Sequence, residues 1–131
     1  ESLYKKAFEA AKKSYSPYSC FPVGAALLLK DGNIITGTNI ENRSFGLTNC
    51  AERSAIFTAV SQGFTEFVAL AIAAPKSSYP VAPCGACRQV ISEFAASDMP
   101  IIFGPDYSKT IIKTLGELYP DDSLHDLKQN Q

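Results

Sequence analysis

Apolar residues recur at helical spacing across residues 2–15, where Leu3, Ala7, Ala11 and Tyr15 share one face while Lys5, Lys6, Glu9, Lys12 and Lys13 occupy the others. This predicts a helix packed on a sheet. It should stop at Ser16-Pro17, because proline cannot continue a helix and restricts the residue before it. Residues 23–30 and 33–39 are apolar, β-branched runs separated by Asp31-Gly32, a dipeptide at ease at positive φ, so they read as a β-hairpin. Residues 40–48 are polar and form a loop, with Asn49 as the expected N-cap of a helix over 50–62 that Gly63 closes. Residues 66–74 are nearly continuously apolar, as in a strand covered on both faces. A proline- and serine-containing loop over 76–82 leads to a second periodic stretch, 84–96, with Cys87, Val90, Ile91 and Phe94 on one face. Strands follow at 100–103 and 109–114, then a helical turn at 116–119 and a polar tail.

The order α-β-β-α-β-α-β-β predicts an α/β fold with a mixed sheet between helical layers. Periodicity does not give the strand order. A length of 131 residues, 46% hydrophobic and 19% charged, fits one domain spanning 1–131, with 121–131 as its polar tail. No apolar run approaches the ~18 residues of a membrane span. Residues 1–15 are charged throughout and lack the apolar centre of an export signal, so a cytoplasmic protein is expected. In that setting the four cysteines read as thiolate chemistry rather than disulfides. A net charge of −1 argues against a nucleic-acid surface, which needs a basic patch.

Three of those cysteines stand at two predicted helix starts, in Cys50-Ala51-Glu52-Arg53 and Pro83-Cys84-Gly85-Ala86-Cys87-Arg88. Positions i and i+3 are neighbours on a helix, so Cys84 and Cys87 can share one metal ion. Zn–S bonds of roughly 2.3 Å put tetrahedral sulfurs roughly 3.8 Å apart, a gap that such a pair can span. Cys50 would be the third ligand. Three protein ligands leave one position for water, the mark of a catalytic rather than a structural zinc. Glu52, two residues beyond Cys50, is poorly placed as a fourth ligand but could reach that water as a general acid/base. Zinc with three thiolates carries a formal charge of −1, which works against acidifying the water unless something offsets it. Two helix N-termini would each bring roughly half a positive charge.

Cys-Ala-Glu followed by Pro-Cys-x-x-Cys resembles the cytidine deaminase family in its short, three-cysteine form. Ser16-Pro17-Tyr18-Ser19, Phe21-x-Val23-Gly24-Ala25-Ala26, Asn39-Ile40-Glu41-Asn42 and Gly116-Glu117-Leu118-x-Pro120 match further family segments in order, so the resemblance runs from Tyr15 to about Pro120. It implies a three-layer α/β/α sandwich around a mixed five-stranded sheet. The implied reaction is zinc-dependent hydrolysis of cytidine and deoxycytidine to uridine and deoxyuridine, with one zinc per chain on Cys50, Cys84 and Cys87. Glu52 would be catalytic, Arg53 would donate to the cysteine sulfurs, Phe21 would stack on the base, and Asn39 and Glu41 would grip the ribose. The resemblance also implies a homotetramer in which a neighbour completes each site, with Phe45 near the subunit boundary. Family members often carry a phenylalanine shortly after Glu-Leu-x-Pro that covers the pyrimidine. Here Asp121-Asp122-Ser123-Leu124 has none, leaving Leu124 or a neighbour's Phe45 for that task.

Other readings of the same residues stand beside these. Cys84 and Cys87 could be a redox dithiol, though Cys50-x-Glu52 would then go unexplained. Glu52 could be the N3 member of a capping box with Asn49. Phe21 could be ordinary core, and Asn39 and Asn42 turn residues. Cys20 reads as a small semi-buried hydrophobe, Arg88 as a solvated helix residue, and His125 as a solvated tail residue, which counts against a histidine-dependent hydrolase. A nucleic-acid-binding zinc module would need a fourth ligand and a basic surround, and a polynucleotide deaminase a basic groove. A deaminase for a modified nucleoside or nucleoside antibiotic is the nearest rival, against which Asn39-Ile40-Glu41 favours an unmodified ribose.

Overall fold

In the computed structural model, which describes residues 2–127, Asp31-Gly32 joins β1 (Gly24–Leu29) to β2 (Ile34–Thr38) in the expected antiparallel hairpin. Gly32 takes a φ of +94°, a region cheap only for glycine, and Asp31 Oδ1 accepts the Asn33 N–H at 2.9 Å. On its other side β1 pairs antiparallel with β3 (Phe67–Ala73), which runs parallel to β4 (Pro100–Gly104); β5 (Ile111–Thr114) pairs antiparallel with β4. The sheet order is therefore β2-β1-β3-β4-β5, a mixed five-stranded sheet.

Successive side chains of a strand point to opposite faces, and β1 supplies both cores. Ala25, Leu27 and Leu29 pack with Leu70, Ile72, Ile101 and Phe103 beneath α2 (Ala51–Ser61) and α3 (Gly85–Phe94), through Ala55, Ile56, Ala59 and Ile91. Ala26 faces the other way. With Ala71 and Ala73 it packs under Tyr4 and Ala7 of α1 (Ser2–Ala11). Helices thus cover both faces. Small residues set how closely they approach: a Cβ on Gly37 of β2 would lie 2.4 Å from Ala55 N and 2.7 Å from Ala51 O of α2.

The first helix is shorter than its periodicity predicts, ending at Ala11 rather than Tyr15. Tertiary pairing takes the rest of the segment: Tyr15 N donates to Asn39 O and Tyr15 O accepts from Glu41 N, so the backbone there runs as a strand bridge. Its buried face is also rotated, with Tyr4 and Ala10 inside and Tyr15 exposed. Tyr4 reaches through the core to donate its hydroxyl to Gly104 O at 2.8 Å; burial first, and then Asp106, push its pKa up to about 12. At the other end α4 (Leu115–Leu118) is closed by a capping box, Thr114 with Glu117. Residues 121–127 are mostly exposed and end in a single 3-10 turn, His125–Leu127, while the remainder of the predicted tail, 128–131, lies outside the described residues. Among the described residues no helix is long and apolar enough to cross a membrane.

Candidate zinc centre and active site

Two helices begin at the same place. Cys50 is the N-cap of α2 and Cys84 that of α3, both with extended backbone, so their thiols point into the space ahead of two rows of unpaired helical N–H groups. Cys84 Sγ accepts the Cys87 N–H at 3.4 Å, which fixes the first turn of α3 and puts Cys87, fully buried, against it. Cys50 Sγ lies 3.8 Å from Cys84 Sγ, and Cys84 Sγ 3.2 Å from Cys87 Sγ. All three sulfurs fall within 4.8 Å of one another, the one such metal-binding group among the described residues. The first separation equals the spacing that tetrahedral zinc imposes on two thiolates and the second is tighter, so three soft donors converging on one point fit zinc.

Charge around the cluster is arranged to hold thiolate. Arg53 Nη2 donates to Cys50 Sγ at 3.2 Å. The Cys87 thiol and then Arg53 draw the Cys50 pKa down to about 5, while Cys87, which gives its proton to that bond and is buried, is pushed up. The same bond to Cys50 raises Arg53 and keeps it charged; its Nε is buried without a partner, leaving one more donor inside the site.

Glu52 is 5% exposed, and burial foremost lifts its pKa to about 7. The Cys50 sulfur raises it further and the Arg53 guanidinium lowers it, so this carboxyl lies against the thiol cluster. The capping-box reading of this residue fails. Cys50, not Asn49, is the N-cap, which makes Glu52 the second helical residue rather than the third, and the Asn49 amide reaches Ser54 Oγ at 3.4 Å instead.

The residues expected to hold substrate surround a loop that they also build. Asn39, buried, accepts at Oδ1 from Val23 N at 2.9 Å and from the Ser14 hydroxyl, and donates from Nδ2 to Phe21 O at 2.9 Å. Glu41 Oε1 accepts from Tyr18 N at 3.0 Å and Ser19 N at 3.1 Å, and its other oxygen from the Ser19 hydroxyl; those bonds, the hydroxyl first, hold its pKa low. Asn39 is therefore no turn residue. Together the two side chains clamp the segment that carries half-buried Phe21. Phe45 is 74% exposed and meets the Tyr18 ring edge-on at 5.9 Å. Cys20 is exposed rather than semi-buried, at a φ of +55° in the tight turn after Ser16-Pro17. Arg88 is not a solvated residue either, since its guanidinium bonds two backbone carbonyls, Pro83 O and Leu118 O, each at 2.7 Å.

Residues 1–103 match the family described as the cytidine and deoxycytidylate deaminase zinc-binding region. The chain belongs to this family. Its matched span contains the whole Cys50, Cys84, Cys87 triad, which is the family's zinc-binding site here. A cytidine deaminase of Sporosarcina psychrophila is 54% identical over 128 residues, covering 95% of this chain and 93% of the relative. One of Halalkalibacterium halodurans is 49% identical over 120 residues, covering 92% and 90%. In three dimensions the crystal structure of cytidine deaminase from Burkholderia pseudomallei superposes with a TM-score of 0.87 at 42% identity, over 92% of this chain and 95% of that one. The family fold and its zinc cofactor, both implied by the sequence, are thus borne out.

Proposed function

We infer that this cytidine deaminase family member is a hydrolase that converts cytidine and deoxycytidine to uridine and deoxyuridine with release of ammonia, as in pyrimidine salvage in the cytoplasm. The observation that carries the reading is Glu52, a buried carboxyl facing a three-thiol cluster that has no fourth protein ligand among the described residues. Zinc held by Cys50, Cys84 and Cys87 supplies Lewis-acid activation of the attacking water. Glu52 takes a proton from that water as it adds to C4 of the pyrimidine and delivers it to N3. It then moves the proton of the new hydroxyl to the exocyclic amine, which leaves as ammonia while C4 becomes a carbonyl. Arg53 stabilises the thiolate of Cys50 through the 3.2 Å bond. Phe21 offers its ring to the base. Asn39 Nδ2 keeps one proton, and Glu41 Oε2 keeps one lone pair, for ribose hydroxyls.

Turnover of cytidine, deoxycytidine and a cytosine-bearing single-stranded oligonucleotide tests this directly. Both nucleosides should be deaminated and the oligonucleotide left intact, since a net charge of −1 provides no basic groove for a strand. Deamination of the oligonucleotide alone, or of neither nucleoside, would reject the assignment.

The same reading includes a homotetramer. Phe45 at 74% exposed, with exposed Leu47 and Tyr18 near it in sequence or space, leaves apolar surface on the segment that leads into Cys50 for a second copy to cover. Leu124 is half exposed in the C-terminal segment and presents less surface to a base than an aromatic ring would. Ser123→Phe is expected to lower KM for cytidine without changing assembly, and light scattering should report four chains. An active monomer would reject the tetramer, and an unchanged KM the lid.

A further inference from the structure

The geometry points to Arg88 as a positioning residue that fixes the zinc ligand Cys84 and ties it to the C-terminal segment. Cys84 is oriented by the two peptide planes that flank it, and Arg88 holds both. Its Nε donates to Pro83 O at 2.7 Å, which pins the plane entering Cys84. Its backbone N–H donates to Cys84 O at 3.0 Å, which pins the plane leaving it. Rotation about either backbone bond of Cys84 must break one of these contacts, so Arg88 fixes the direction of the Cα–Cβ bond, on which the Cys87 N–H then holds the thiol.

The second arm runs outward. Nη1 of the same guanidinium donates to Leu118 O at 2.7 Å, satisfying a carbonyl that the short helix α4 leaves unpaired. The next residue along each chain segment repeats the connection, because the Tyr119 hydroxyl bonds Gln89 Oε1. Arg88 and Gln89 therefore hold the start of the segment that continues to Leu124, while Arg88 also holds Cys84. Only a guanidinium has donors spread widely enough to serve both carbonyls at full strength; a lysine ammonium is a point charge that must favour one.

A residue that merely glues α3 to α4 would affect stability and nothing else, so the test separates zinc retention from melting temperature. Zinc release from the holoprotein to a chromophoric chelator is measured for wild type, Arg88→Gln, Arg88→Lys and Tyr4→Phe, the last a core change under α1 on the sheet face opposite α3. Arg88→Gln is expected to release zinc ~10- to 100-fold faster, the usual scale for losing a group that orients a metal ligand, and Arg88→Lys to fall between it and wild type. Tyr4→Phe should melt earlier, having lost the buried hydrogen bond to Gly104 O, yet release zinc within about twofold of wild type, as that loss lies on the other face of the sheet from the ligands. Wild-type release from Arg88→Gln, or equally fast release from Tyr4→Phe, would overturn the proposal. If Arg88→Gln does not fold, Arg88→Lys decides alone: release faster than that of Tyr4→Phe supports the clamp, and release no faster overturns it. The measurement needs no turnover, so it stands whether or not the deaminase reading holds.

Discussion

Glu52→Gln should retain one zinc per chain and the wild-type fold while losing cytidine turnover by more than the ~10²- to 10⁴-fold associated with a single acid/base group. The excess follows from the number of proton transfers that pass through one carboxylate: from the attacking water, to N3, and to the leaving amine. Glutamine has nearly the same volume, so the buried pocket beside Cys87 stays filled. It also lacks the charge whose burial is costly. The helix start is preserved because the N-cap of α2 is Cys50, a glutamine oxygen can still accept what the carboxylate accepts, and Arg53 still donates to that sulfur. Elemental analysis, a thermal melt and steady-state turnover on one preparation check the three statements together. Turnover within tenfold of wild type, with zinc intact, would remove Glu52 from the mechanism.

What the sequence revealed, and what it hid, follows from where the determining atoms lie. The hairpin was legible because Asp31-Gly32 carries its own conformational preference, and Gly32 takes the positive φ that this preference implies. The zinc triad was legible because an i,i+3 cysteine pair at a helix start leaves little freedom in where its sulfurs go. The length of α1 was not. Its apolar spacing continues to Tyr15, but the backbone of Tyr15 is taken by Asn39 and Glu41, residues about 25 positions away whose pairing no local pattern announces. Asn49 looked the better cap by residue type, yet the cap is decided by where the backbone leaves the helix, and that point is the metal ligand Cys50. The capping box that the chain does form is Thr114-x-x-Glu117, a pattern as local as the one around Glu52. Arg88 had no signal at all, since its partners are carbonyl oxygens that every residue possesses.

Gly37→Ala is expected to injure the site from a strand that contributes no ligand to it. The added Cβ would sit 2.4 Å from Ala55 N and 2.7 Å from Ala51 O, far inside contact distance, and both are helix backbone atoms that cannot rotate away as a side-chain tip can. Either β2 or α2 must therefore shift by about 1 Å, and overpacking of this kind typically costs about 1–3 kcal/mol of stability. β2 is paired with β1 along its whole length, so part of the shift falls on the helix. The first turn of α2 carries Cys50, Glu52 and Arg53, which would move with it. A displacement near 1 Å can cost ~10²-fold in rate by misplacing reacting groups, and it would also part Cys50 from Cys84 and Cys87. The expected result is a lower melting temperature, faster zinc loss and a fall in kcat of ~10²-fold or more. Thr36→Ala, one residue earlier on the same strand and exposed, should change none of these. If Gly37→Ala matched Thr36→Ala in zinc retention and kcat, the close approach of β2 to α2 would have no part in placing the site.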